Sequence, residues 1–150
     1  SYLAVVHRKR GDISSVRTVV ERTLTAATES RMGAYVALGR ANQAWLAWRH
    51  RDLAATRDHG LAALSGWGQL SFPARGFALW PLTGSTLAKD RLAEAIDHVR
   101  AMLAPDQMRL QPDLETEMEA ALRAWQAGDR QDALTRLETA SAAATRLGFL

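Results

Sequence analysis

Five tryptophans are the side chains best suited to build a binding surface here, and four of them (Trp45, Trp48, Trp80 and Trp125) recur at related spacings. Large aromatic rings gathered in a groove are the usual anchors for a peptide or an apolar ligand. Arg8, in the register of Trp48 and Trp125, and Arg49, next to Trp48, add charged forks suited to a carboxylate. The same rings can equally fill a tightly curled core, and at the level of sequence both readings stand. Other constellations carry less chemistry. Glu115 with Glu119, and Asp113 with Glu117, form same-face carboxylate pairs of the kind that acid–base catalysis uses. No nucleophile accompanies them, and near a helix start they complement the dipole. His7, His50, His59 and His98 never fall three or four residues apart, so no helical metal-ligand pair is expected. Arg10-Gly11-Asp12 reads as a turn between helices.

Composition narrows the classes. The 150 residues are 47% hydrophobic, and Ala, Leu and Arg outweigh Val, Ile and the aromatics, which favours helix over sheet. No apolar run approaches membrane-spanning length. The absence of cysteine excludes disulfides and thiolate metal sites and suits a cytoplasmic protein. The net charge of +3 is unevenly spread. Residues 1–75 hold 11 Lys/Arg against 5 Asp/Glu, and residues 76–150 hold 8 against 11. The basic cluster His7-Arg8-Lys9-Arg10, with Arg17 and Arg22, is the best nucleic-acid candidate, yet it has no interleaved aromatics and no recognition motif.

The elements that must hold these residues follow a forty-residue rhythm. Turn signals align on Asp12, Asp52, Arg91 and Asp129, with spacings of 40, 39 and 38. Two helices per period is the mark of an α-solenoid. Small residues recur four after each anchor (Thr56, Ala95 and Ala133, with Val16 the exception) and eight before (Ala4, Ala44, Thr83, Ala121), where paired helices must approach closely. Asp12, Asp52 and Asp129 suit helix N-caps. Helices are predicted near 2–10, 13–29, 32–50, 53–67, 74–88, 91–104, 112–127 and 130–147, with Pro81 kinking the fifth or splitting it. The expected fold is therefore all-α: a single-domain α-α superhelix of about four antiparallel pairs. In this register the first helix of each pair faces the groove. Positions four before the anchors are Arg8, Trp48, Leu87 and Trp125, and positions seven before are Val5, Trp45, Gly84 and Leu122. Farther back lie Ala41, Trp80, Met118, Leu38, Phe77 and Glu115. Trp67 closes a second helix and reads as hairpin packing.

Residues 77–150 carry a more particular pattern. Ala78-Leu79-Trp80-Pro81-Leu82, Arg100-Ala101-Met102-Leu103-Ala104-Pro105-Asp106-Gln107 and Ala124-Trp125-Gln126-Ala127-Gly128-Asp129 are followed by Ala143-Ala144-Thr145-Arg146-Leu147-Gly148. This stretch resembles the C-terminal tetratricopeptide-like region of large bacterial signalling ATPases, which often carry a cyclase or DNA-binding domain. The resemblance implies a regulatory, partner-binding region whose catalytic parts lie elsewhere. No phosphate-binding loop is present, since Gly84-Ser85-Thr86-Leu87-Ala88-Lys89 lacks the glycine before its lysine. The missing initiator Met and the lack of a polar capping helix at either end point to a piece of a longer chain. The expected function is a non-catalytic interaction module that binds a protein or peptide, or neighbouring domains of the parent chain. Its groove set is Arg8, Trp45, Trp48, Arg49, Phe77, Trp80, Met118, Leu122 and Trp125. No enzyme, cofactor or metal is expected, and a homodimer stays open. The alternatives are an effector-sensing pocket in the same concavity and nucleic-acid binding by the basic half.

Overall fold

The computed structural model describes residues 2–68 and 70–150, without the side chain of Tyr2. Among the described residues eight helices follow one another: α1 (Tyr2–Arg10), α2 (Ile13–Glu29), α3 (Gly33–Arg49), α4 (Leu53–Trp67), α5 (Gly76–Leu87), α6 (Leu92–Met102), α7 (Pro112–Gln126) and α8 (Arg130–Arg146). There is no strand among the described residues, and no helix is long and apolar enough to cross a membrane.

Short-range chemistry sets the hairpins. Asp12, Asp52 and Asp129 each accept a backbone N–H from the third residue on (Ser15, Ala55 and Asp132) at 2.9–3.0 Å, so each second helix starts where its carboxylate caps it. The residue before each anchor takes the left-handed conformation that reverses the chain: Gly11, Arg51, Asp90 and Gly128, at φ 55–79°. Two of these four are not glycine, which costs roughly 1–2 kcal/mol each.

The small positions then let the pairs close. Val16, Thr56, Ala95 and Ala133 are buried, as are Ala4, Ala44, Thr83 and Ala121. Two glycines mark the tightest approaches. A methyl on Gly39 would sit 2.4 Å from Leu24 Cδ2, and one on Gly60 would sit 2.6 Å from Leu82 Cγ. Within the α3–α4 pair, Trp67 donates its indole N–H to Ala34 O at 3.1 Å and stacks on Phe72. α3 and α5 adjoin directly, whereas α1 reaches α3 through the long side chain of Arg8.

Pro81 does not split α5, which runs unbroken from Gly76 to Leu87. The expected break is overridden by packing: every residue from Ala78 to Thr86 is buried. Thr83 and Thr86 also return their hydroxyl protons to the carbonyls of Leu79 and Leu82, one turn back. The two long connections are ordered by polar zippers. Gln107 accepts from Arg75 N and donates to Phe72 O, while Met108 N donates to Pro73 O. α8 turns Gln131, Thr135, Glu138, Thr139 and Arg146 outward, so this end of the stack does present a polar face, against expectation. At the other end Leu3, Met32 and Tyr35 are exposed around an open recess of about 550 Å³.

Candidate functional site

The inner face of the stack is assembled around Arg8, at the last turn of α1. Its side chain is 2% exposed. Nε donates to Gly148 O at 2.9 Å, Nη2 to Phe149 O at 2.8 Å, and Nη1 to Asn42 Oδ1 at 3.2 Å. The guanidinium lies 5.2 Å from the ring centres of both Trp45 and Phe77, within cation–π range. Arg8 is therefore not a free fork for a ligand carboxylate. It is consumed in joining residues 140 positions apart, which brings the first helix against the segment after α8. Burial pushes its pKa down to about 9, so at neutral pH it remains a cation, without a carboxylate partner.

That segment is shaped by the end of α8. Gly148 adopts φ +80°, its N–H donates to Thr145 O, and Phe149 N–H donates to Ala144 O, the paired bonds of a Schellman turn. The turn throws Phe149 and Leu150 back onto the inner wall. Phe149 meets Phe77 at 6.2 Å and Trp80 at 6.4 Å between ring centres, and Leu150 is buried. A methyl at Gly84 would sit 2.9 Å from Trp48 Cζ2 and 3.1 Å from Leu150 Cδ2, so α5 offers these groups bare backbone.

The expected groove residues thus separate into two sets. Trp45, Trp80 and Met118 are fully buried and present no surface in this state. Phe77, Leu122, Trp48 and Trp125 are half-buried, and Arg49 is exposed. Trp48, Leu122 and Trp125 pack against the same core cluster as Phe149 and Leu150, and Arg130 covers the Trp125 ring at 5.2 Å. The space left beside Phe77 and Phe149 is about 20 Å³, room for about one water molecule and no ligand group. In this state the wall is filled, and what fills it is the chain itself.

A recess that reaches a groove tryptophan opens at the ends of α3 and α5. It holds about 510 Å³ and is lined by Trp48, Arg49, Arg51, Ile13, Leu53 and Ala88. Arg49 and Arg51 are exposed, and neither forms an ion pair among the described residues.

The remaining candidates have structural partners. Glu115 is buried, accepting from Arg109 at 2.6 Å and from Leu110 N at 2.7 Å, so it fastens the loop before α7. Glu117 pairs with Arg136 and Glu119 with Arg123. Within the basic cluster Arg8 is buried, Arg17 binds His50 Nε2, and Arg22 lines the open recess beside Leu3. No group of His and carboxylates able to hold a metal occurs among the described residues.

His98, in α6, titrates below its ordinary value. Burial disfavours its cation and outweighs the attraction of Glu94. Its folded pKa lies below the unfolded 6.5, so the unfolded chain binds the proton more readily and acid favours unfolding. His59 runs the same way. The urea midpoint should fall between about pH 7 and about pH 5, and His98→Gln should make that fall shallower. An unchanged slope would assign it to His59 or the carboxylates.

Sequence reasoning missed Asn42, Phe149 and Leu150. A signal for the last two existed: a glycine just past the final periodic residue, followed by two large apolar residues. No family model, curated protein or solved structure matches this chain.

Proposed function

We propose that the chain is a non-catalytic protein-interaction module whose partner docks at the Trp48 recess. The observation that carries this reading is the pairing of an apolar floor with two unpaired arginines at one opening of about 510 Å³. Such a site suits a peptide that presents an acidic side chain next to an apolar one: the apolar group covers the Trp48 ring, and the acid meets Arg49 and Arg51. Arg51 holds φ +59° in a turn position that Gly11, Asp90 and Gly128 fill in the other hairpins, and its side chain stands at the rim. The module belongs, in this proposal, to a cytoplasmic bacterial signalling protein, as the residue pattern of 77–150 suggests.

An array of acidic–apolar peptides, followed by titration of the best binder, tests the docking site. Arg49→Ala with Arg51→Ala should weaken binding at least tenfold, and added salt should mimic that loss. Trp48→Ala should weaken it while helicity persists. Arg51→Gly should raise stability by about 1 kcal/mol and still lose affinity. Binding that ignores both salt and the arginines would refute the rim site.

A further inference from the structure

The inner wall and the segment seated on it are poorly matched in hydrogen-bonding character. Arg8 is a buried cation whose bonds all go to neutral acceptors: two backbone carbonyls and the Asn42 amide oxygen. The indole N–H groups of Trp45 and Trp80, whose rings form the wall, have no acceptor among the described residues. The wall is thus rich in donors and short of acceptors, while the resident segment supplies only main-chain carbonyls. Bonds from a guanidinium to a carboxylate are roughly twice as strong as those to neutral acceptors, and they also neutralise the buried charge. Attachment of the segment depends on few groups as well. It rests on the Schellman bonds of α8, on the Arg8 fork and on the two side chains Phe149 and Leu150, and α8 is complete without it.

We propose that the wall around Arg8 is a peptide-binding cleft, that Gly148–Leu150 is its resident occupant, and that a segment carrying an aromatic side chain next to a carboxylate replaces it. The incoming ring takes the place of Phe149 against Phe77 and Trp80. The carboxylate takes the fork now shared by Gly148 O and Phe149 O. The resident segment then acts as a built-in competitor that sets a threshold for capture. This cleft adjoins the Trp48 recess through Arg49, which lies over the Trp45 ring at 5.5 Å, but Arg51 lines the recess and touches neither indole read in the test, so either reading can fail without the other.

The test uses the full chain with ¹⁵N-labelled tryptophan, following the indole N–H signals of Trp45 and Trp80. The probes are acetyl-Leu-Asp-Phe-Leu-amide and its neutral counterpart with Asn in place of Asp. The Asp peptide should move both signals saturably and bind at least tenfold tighter than the Asn peptide. Phe149→Ala should tighten binding a further several-fold by weakening the competitor, and Phe149→Leu should do so to a smaller degree if the alanine variant fails to fold. Arg51→Ala, which lines the rim recess, should leave the titration unchanged. Three results would each overturn the proposal: no saturable shift at either indole, equal affinities for the two peptides, or indifference to Phe149. Loss of the shift in the Arg51→Ala variant would place the peptide in the rim recess and overturn it as well.

Discussion

Gly148→Ala is expected to lower stability by about 3 kcal/mol, on the order of 10 °C in Tm for a chain of this size. Two costs combine. An alanine at φ +80° forfeits roughly 1–2 kcal/mol by itself. Its methyl would then lie 2.7 Å from Lys9 N and 2.8 Å from Arg8 C, which are backbone atoms of α1 that cannot turn aside. Either α1 retreats or Phe149 and Leu150 leave the wall, and both break the Arg8 bonds. Gly128→Ala supplies the control: φ is +79°, but nothing lies within 4 Å of the added methyl. It should cost only the conformational part, about 1 kcal/mol. Thermal melts of the two variants compare them directly. Equal losses would mean that the segment after α8 does not press on α1.

Arg8 should give the second large effect, and a pair of substitutions separates its roles. Arg8→Ala leaves the Gly148 and Phe149 carbonyls without their donor and opens a void beside Trp45 and Phe77. The expected loss is about 3–5 kcal/mol. Arg8→Met also removes the donor, but it fills most of the volume and lifts a cation out of a buried site where nothing neutralises it. Relief of that desolvation offsets much of the lost bonding, leaving a deficit of about 1–2 kcal/mol. Urea midpoints at neutral pH measure both. If methionine proves as damaging as alanine, the charge is well compensated where it lies, and the donor-rich character of the wall no longer argues for an anionic ligand.

Trp48 and Trp125 are legible in the sequence as residues of one shared face because the anchor register is local. Counting back from Asp52 and Asp129 reaches equivalent turns of α3 and α7, and both rings pack on one core cluster. Trp45 and Trp80 follow the same register yet are wholly buried. Periodicity says which face a residue takes. It does not say how far the opposing wall stands. Arg8 shows the limit most clearly, since a charged residue at a groove position reads as a ligand contact, and arginine is almost never fully buried without a partner. Its partners are main-chain carbonyls 140 residues away, invisible to any local pattern.

The sequence by itself determined the eight helices, their order and their turns. The aspartate caps, the left-handed residue before each anchor and the small contact positions act within a few residues of one another, and such signals survive without knowledge of the rest of the chain. Only the tertiary structure decided that the inner wall is filled by Phe149 and Leu150, that Arg8 serves as its fastening, and that α5 continues through Pro81. These outcomes depend on small displacements added up along four hairpins and on packing from several helices at once. A sum of many modest angles brings residue 8 to residue 148, and no single stretch of sequence contains it.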